Sequence, residues 1–222
     1  MKIERFNDRA ALDSALSERL KRALEREGEA VMLSGGHSPR PAYEHLGSLA
    51  LRPSKRLHVL YSDERYVPPT SEASNYRASL PLLKALSLAE ERVIHVRTEL
   101  PLEEAAAQYN QRLRDLLSSG VPIRLGLLGI GVDGHTASLF SMEDLERAWG
   151  NLAAAVQRPD GLQAVTVTPA LLGQIDTLLM IVVGAEKRDA LAAFLARDSD
   201  SVAWRAVAGC RNIEVWFENI NV

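Results

Sequence analysis

The chain has few of the residues that stabilise secreted or membrane proteins. Its single cysteine, Cys210, excludes an internal disulfide, and no zinc-ligand spacing is present, which fits a structural thiol in a reducing compartment. No apolar run approaches the roughly 20 residues that span a bilayer, and the amino-terminal segment has no apolar core of signal-peptide length. We therefore expect a cytoplasmic protein without a membrane partner.

A strong charge of either sign is also missing. The formal net charge of the 222 residues is -3, so no bulk positive field indicates a nucleic-acid partner, and any anion must be bound locally. With 46% hydrophobic and 25% charged residues, the composition is that of an ordinary globular chain that buries most of its apolar surface. We expect a single domain over residues 1–222 and a monomer, although the sequence leaves an oligomer open.

The chain alternates helix-like and strand-like segments, which is typical of βαβ units. Periodicity predicts helices over 8–27, 39–50, 76–86 with a break at Pro81, 101–117, 145–156 and 184–196. Shorter apolar segments predict strands over 29–34, 57–61, 93–96, 123–130, 164–168, 177–183 and 213–217. These strands and helices together imply a three-layer α/β sandwich.

The stretch IRLGLLGIGVDGHTASLF, residues 123–140, is the one around which the rest is organised. Its first half is an apolar run that closes on glycine, which predicts a buried parallel strand, although periodicity alone also permits a buried helix. A glycine turn containing Asp133 and His135 follows, and residues 136–140 are expected to begin a helix. Because open α/β sheets bind ligands in loops at the carboxyl ends of their strands, chemistry is expected in this turn.

His135 is the candidate general base of that turn. Asp133, two residues away, can fix the imidazole tautomer and stabilise the charge that the ring gains with a proton, and a helix amino terminus beneath the ring would keep it neutral. Gly131 and Gly134 would let successive amides converge on an oxyanion. The alternative is a loop histidine that only forms hydrogen bonds. Ser138 lies in no GxSxG elbow, so a serine-hydrolase triad matches poorly.

A second glycine turn follows the first predicted strand. Gly35, Gly36 and Ser38 precede a helix, and such a turn suits a phosphate, although many similar turns serve only the backbone. It contains neither the GxxxxGK[ST] nor the GxGxxG pattern, so neither a nucleoside triphosphate nor a dinucleotide is indicated.

Two further strand ends carry cations. Arg65, in SDERYVP, offers a planar fork for phosphate or carboxylate, with an internal ion pair as the alternative. Lys187, in GAEK, falls in the first turn of a predicted helix, against the dipole preference. An anion would explain that lysine, and a solvated surface position is the alternative.

Together, the segments LSGGHSPRPAYEHL, SDERYVPPTSEASNY, LGLLGIGVDGHTASLF and VGAEKRDAL resemble the successive motifs of 6-phosphogluconolactonases, in the same order and at similar spacing. The resemblance covers essentially the whole chain, and GxDGHTASLF is its most specific segment. It implies a doubly wound, mostly parallel α/β fold akin to the sugar-phosphate isomerases, without a cofactor or a metal. It also implies hydrolysis of 6-phospho-D-glucono-1,5-lactone in the oxidative branch of the pentose phosphate pathway.

Within this resemblance, His135 is the general base, oriented by Asp133, and water attacks without a covalent intermediate. The implied substrate-binding residues are Gly35, Gly36, Ser38, Asp63, Arg65, Asn75, Gly131, Gly134, Arg158 and Lys187. Two positions depart from the family pattern. The first glycine loop usually reads SGGSTP, and here His37 and Ser38 replace the serine and threonine. The family commonly has an arginine where this chain has Ala164, and Arg158 is the candidate to supply the missing charge.

Two other functions stay open. Amino-sugar-6-phosphate deaminases or isomerases resemble the chain in a GxDGH turn on the same fold, but Arg65 stands where the deaminases have tyrosine, and no carboxylate lies between His135 and Ser141. A non-catalytic sugar-phosphate sensor would share the fold too. Such sensors normally carry a DNA-binding domain, which the segment before the first predicted strand is too short to house.

Overall fold

The computed structural model describes residues 1–27, 29–147, 150–218 and 220. The strands in these residues are β1 Lys2–Phe6, β2 Ala30–Leu33, β3 His58–Tyr61, β4 Asp63–Arg65, β5 Val93–Ile94, β6 Ile123–Gly129, β7 Ala153–Gln157, β8 Gln163–Val167, β9 Ile175–Val182 and β10 Ile213–Glu218. The α-helices are α1 Arg9–Arg22, α2 Arg40–Gly47, α3 Asn75–Leu86, α4 Leu102–Ser118, α5 Met142–Arg147, α6 Pro169–Leu172, α7 Arg188–Leu195 and α8 Val202–Val207. Among the described residues, no helix combines the length and the apolar character needed to cross a membrane.

Seven of the strands form one parallel sheet in the order β1-β10-β9-β6-β2-β3-β5. From β2 the chain moves outward through β3 to β5, and it then returns to β6 on the other side of β2 and continues to β9 and β10. The strand order therefore reverses between β2 and β6, where a doubly wound sheet opens a crevice at the carboxyl ends of its strands. The prediction of a doubly wound, mostly parallel sheet is confirmed.

Helices cover both faces of this sheet. Successive residues of β2 alternate between two apolar cores, with Val31 in a core shared with α1, α2 and α3, and Met32 in a core shared with α4, α6, α7 and α8. This alternation is the period of two that a strand imposes on its side chains. The predicted three-layer sandwich is confirmed.

Helix α1 shows how the sequence pattern produces one of these layers. Leu12, Leu16 and Leu20, at a spacing of four, are fully buried on one face of the helix. The Asp8 side chain caps its amino terminus by accepting a hydrogen bond from the Ala11 N–H at 2.8 Å. The helix predicted over 8–27 is confirmed, with its last turn in π-helical form.

The prediction of a helix over 145–156 is wrong. Helix α5 ends at Arg147, and β7 occupies Ala153–Gln157, while 148 and 149 lie outside the described residues. The alanine-rich run favours a helix locally, but it pairs antiparallel with β8, and this tertiary pairing overrides the propensity.

The predicted break at Pro81 is also wrong, because α3 runs through it. Pro81 packs against Gly47 of α2, where an added Cβ would lie 2.7 Å from the Pro81 carbonyl carbon. Close packing of the two helices thus compensates for the hydrogen bond that proline cannot donate.

Two strands besides β7 were not predicted from the sequence. The first, β1, is a charged edge strand in which only Phe6 is buried. The second, β4, follows β3 directly and joins β8 and β7 in an antiparallel sheet with the order β4-β8-β7. Both lack a clear apolar alternation, which is the signal that sequence patterns depend on.

Candidate active site

A cleft of about 460 Å³ opens at the carboxyl ends of β2 and β6, where the strand order reverses. Most of the side chains and glycines that the sequence singled out line it: Gly35, Gly36, Ser38, Asp63, Arg65, Asn75, Gly131, His135 and Lys187. They come from the loops after β2, β6 and β9, from β4 and from the start of α3. The fold therefore brings together strand ends that are far apart in the sequence, as carboxyl ends of parallel strands do.

His135 lies on the loop after β6, with Nδ1 hydrogen-bonded and Nε2 without a partner among the described residues. Nδ1 is hydrogen-bonded to Oδ1 of Asp133, which also accepts the His135 backbone N–H at 3.2 Å. Burial alone would raise the pKa of Asp133, but the hydrogen bonds and the charge interaction with His135 outweigh it, so the pKa is lowered. An ionised carboxylate can only accept, so Nδ1 carries the ring proton and Nε2 is left as the acceptor.

Gly131 makes room for this pair. A Cβ at Gly131 would lie 2.1 Å from Nδ1 of His135 and 2.5 Å from Oδ1 of Asp133. Any side chain at this position would displace the imidazole or the carboxylate. The glycine is thus required by close approach.

The prediction that the amides of Gly131 and Gly134 bind an oxyanion is wrong. The Gly131 N–H donates to the carbonyl of His135 at 2.8 Å, and the Gly134 N–H donates to the carbonyl of Gly131 at 3.1 Å. Both donors are used to close the turn, so neither points at a developing negative charge. Gly134 has a φ of 83° and does not line the main cleft; with Asp133 it lines a smaller neighbouring cavity.

No helix begins at residues 136–140, contrary to the prediction. Thr136 turns its hydroxyl back to the Gly129 carbonyl at 2.8 Å, and Ala137 has a left-handed φ of 51°, which a helix does not allow. The His135 ring instead packs on Phe140, with ring centroids 4.4 Å apart. The ring is held by a carboxylate and an aromatic side chain, without a helix dipole.

The glycine turn after β2 presents unpaired amides to the cleft. In the described residues, the N–H groups of Gly35, Gly36, His37 and Ser38 have no hydrogen-bond acceptor. The base of this loop is fixed by Tyr43 of α2, whose hydroxyl donates to the Ser34 carbonyl at 2.8 Å and accepts the Ser34 N–H at 3.2 Å. Free amides beside the start of a helix are suited to bind an anion.

Arg65 is held in the cleft with part of its guanidinium unused. Nη1 donates to the Ala73 carbonyl and to Oδ1 of Asn75, each at 2.8 Å. Nε is buried and has no partner in the described part of the chain. The Asn75 amide in turn fills the space beside Gly35, where a Cβ would lie 1.8 Å from Oδ1. Asn75 therefore positions both the arginine and the glycine turn.

Two buried carboxylates on β4 hold the surrounding loops. Asp63, which is 5% exposed, accepts hydroxyl hydrogen bonds from Ser62 and from Ser138, both at 2.7 Å. Glu64 accepts the backbone N–H groups of Asn75 and Tyr76 at the start of α3, each at 2.7 Å. Burial raises the pKa of Glu64 to about 7, against the opposing effect of these hydrogen bonds.

Lys187 and Arg9 add two more cations to the cleft. Burial lowers the pKa of the Lys187 ammonium, the Glu186 carboxylate opposes this effect, and the charge of Arg9 reinforces it. The sequence patterns did not single out Arg9, because β1, the strand that ends at Phe6 just before it, was not predicted. Its amphipathic helix gives no signal of a site.

Arg158 does not supply the charge expected to replace the arginine missing at Ala164. Its side chain is 11% exposed and does not line the cleft. The guanidinium is paired with Asp160 at 2.9 Å and donates to the Ser138 hydroxyl at 3.1 Å. Ala164 is fully buried and lies opposite Arg65 in the antiparallel pair of β4 and β8. The prediction for Arg158 is contradicted because its hairpin carries its own counter-ion.

The chain is similar in sequence to known proteins of one family. The family model "Glucosamine-6-phosphate isomerases/6-phosphogluconolactonase" matches residues 8–216. A 6-phosphogluconolactonase from Nostoc sp. is 33% identical over 202 residues, which cover 87% of this chain and 82% of the relative. The chain belongs to this family. The resemblance predicted from its motifs is confirmed.

Solved structures agree with the family assignment. A 6-phosphogluconolactonase from Thermotoga maritima is 30% identical and matches with a TM-score of 0.81 over 98% of both chains. A monomeric glucosamine-6-phosphate deaminase, 16% identical, matches with a TM-score of 0.80 over 99% of this chain and 98% of its own. The fold of the glucosamine-6-phosphate isomerase/6-phosphogluconolactonase family is therefore common to both activities, and the site residues must discriminate between them.

Proposed function

We propose that this chain is a 6-phosphogluconolactonase, which hydrolyses 6-phospho-D-glucono-1,5-lactone to 6-phosphogluconate. The observation that carries the proposal is His135, held by Asp133 at Nδ1, in a cleft that is also lined by Arg65 and Lys187. Hydrolysis of a phosphorylated lactone needs a base beside the carbonyl carbon and cations around the phosphate. The family membership and the names of the relatives support the same substrate.

In the proposed reaction, His135 acts as general base. Nε2 removes a proton from a water molecule as the water oxygen attacks C1 of the lactone, and Asp133 stabilises the imidazolium that forms. The tetrahedral intermediate then collapses, the bond between C1 and the ring oxygen breaks, and the imidazolium returns its proton to that oxygen. The base accounts for a rate factor of roughly 100 to 10,000, and a strained lactone needs no stronger activation.

The reaction proceeds without a covalent intermediate in this proposal. The serine nearest to the base in sequence is Ser138, which is fully buried. Its hydroxyl donates to Asp63 and accepts from Arg158. A hydroxyl committed in this way is not available to attack the lactone, so the nucleophile is water.

Phosphate binding is assigned to the other end of the cleft. The Arg65 guanidinium, the Lys187 ammonium and the free amides of Gly35, Gly36 and Ser38 provide charge-assisted donors. Asp63 and Asn75 hold the loops that carry these donors. Binding at this end orients the lactone carbonyl toward His135. Good alignment of the reacting groups lowers the activation barrier by several kcal/mol.

The test is a direct assay of lactone opening. 6-Phosphoglucono-1,5-lactone is generated in the cuvette, its spontaneous opening is subtracted, and glucosamine 6-phosphate is run in parallel with detection of ammonia. We expect rapid lactone opening without ammonia release. Ammonia release without lactone opening would assign the chain to the deaminases, and binding of 6-phosphogluconate without either reaction would indicate a sensor.

A further inference from the structure

Arg9 joins the first helix to the glycine turn after β2. Its Nε contacts both carboxylate oxygens of Asp13 at 2.8 Å, and its Nη2 donates to the carbonyls of His37 at 3.3 Å and of Ser38 at 3.0 Å. Asp13 is one helical turn further along α1, so it fixes the direction of the guanidinium. These contacts place a positive charge beside the turn that carries the free amides.

One edge of the guanidinium is left over after these contacts. The described residues provide no hydrogen-bond partner for Nη1, and Arg9 is among the residues that line the cleft. Its side chain is 33% exposed, so the charge is partly shielded from bulk water. A planar guanidinium that is fixed on two sides and open on the third can donate to a ligand at little entropic cost.

The charge of Arg9 also acts on Lys187 across the cleft. Burial is the larger cause of the lowered pKa of Lys187, and the positive charge of Arg9 contributes to it. Two cations that line one cleft repel each other, and each has one neighbouring carboxylate, Glu186 for Lys187 and Asp13 for Arg9. A dianion bound between them would relieve the repulsion on both sides.

We propose that Arg9 is a binding residue for the substrate phosphate, which it contacts through Nη1 opposite Lys187. The inference rests on the proposed function, because it assigns a ligand group of the same site. Arg9 supplies a positive charge that neither Ala164 nor the paired Arg158 provides. It lies at the start of α1, just after the carboxyl end of β1.

The test compares Arg9→Gln with Arg40→Gln as a matched control. Arg40 begins α2 beside the same turn, but its exposed guanidinium pairs with Glu44 and does not line the cleft. For Arg9→Gln we expect about a tenfold rise in the KM for the phosphorylated lactone, with kcat within about twofold of the wild type. Arg40→Gln should leave both constants unchanged.

A direct binding measurement separates a contact to phosphate from a purely structural clamp. Isothermal titration with 6-phosphogluconate should show a dissociation constant weakened about tenfold in Arg9→Gln, in proportion to KM, with part of the affinity recovered in Arg9→Lys. An unchanged dissociation constant, a loss confined to kcat, or Arg9→Lys as weak as Arg9→Gln would overturn the inference. If the wild type binds 6-phosphogluconate but opens no lactone, the proposed function fails while the titration still decides the role of Arg9.

Discussion

The two ends of the cleft are built in opposite ways. At the base end, the polar groups of the loop after β6 are hydrogen-bonded to one another. The amides of Gly131 and Gly134 close the turn, and Asp133 accepts a hydrogen bond from Nδ1 of His135. At the anion end, the amides of the turn after β2 have no acceptor in the described part of the chain, and the Lys187 side chain also lines the cleft. The base end therefore presents a single acceptor, and the anion end presents several donors.

This difference indicates that the two ends have different functions. A lone acceptor held by a carboxylate is suited to move one proton, whereas a set of unpaired donors is suited to hold an anion through the whole reaction. Changes at the base end should therefore lower kcat, and changes at the anion end should raise KM. Substitutions at each end, with kcat and KM measured separately, test this division.

The largest effect is expected from His135→Gln at the base end. Glutamine keeps a polar side chain but cannot take a proton, so kcat should fall by roughly 100- to 10,000-fold while KM changes little. Steady-state assay of lactone opening measures both constants. The control is His45→Gln, an exposed position on α2 that should keep wild-type activity. Turnover within a few-fold of the wild type would remove His135 as the base.

The next largest effect is expected from Lys187→Met at the anion end. Loss of a charge-assisted donor to phosphate should raise KM by about 100-fold with kcat nearly unchanged. Lys84→Met removes the same charge from an exposed position in the last turn of α3 and should have no effect. A fall in kcat at unchanged KM would place Lys187 in the chemical step and break the separation of the two ends.

A smaller effect is expected from Asp133→Asn. The amide keeps the size of the carboxylate but loses the negative charge that fixes Nδ1–H and stabilises the imidazolium, so kcat should fall about tenfold. The reduction is modest because the Asp133 side chain is 55% exposed and water replaces part of its effect. Single-turnover kinetics check the chemical step, with Asp115→Asn on α4 as the exposed control. A loss confined to KM would contradict the assignment.

The sequence predicted the parts of the site that depend on strand ends. Gly35, Arg65, His135 and Lys187 each follow or lie close to a strand, and the reversal of strand order between β2 and β6 brings them to one cleft. Arg9 was not predicted because the strand before it, β1, was not predicted. That strand is charged and lacks a clear apolar alternation, so no pattern in the sequence indicated that a strand end precedes Arg9.

The errors have the same origin. The oxyanion amides were inferred from glycine positions, but hydrogen bonds within the turn consume the N–H groups of Gly131 and Gly134. Arg158 was inferred from its position in sequence, but Asp160, two residues on, pairs with it. A motif shows that a backbone can turn or that a charge is near, whereas the partner of each donor is decided by the folded structure.

The last prediction concerns the carboxylates that hold the two ends, since Asp133 is exposed and its pKa is lowered, whereas Glu64 is buried and its pKa is raised from 4.5 to about 7. Between pH 4.5 and about pH 7, Glu64 keeps its proton in the folded chain but has released it in the unfolded chain. The free energy of unfolding should therefore fall as pH rises through this window, by roughly 2 kcal/mol relative to Glu64→Gln, which cannot titrate. Urea unfolding in steps from about pH 5 to about pH 8 measures the difference, with the exposed Glu103→Gln as control. Parallel stability profiles for the wild type and Glu64→Gln would mean that the hydrogen bonds from Asn75 and Tyr76 keep the carboxylate ionised, and that both ends are held by charge.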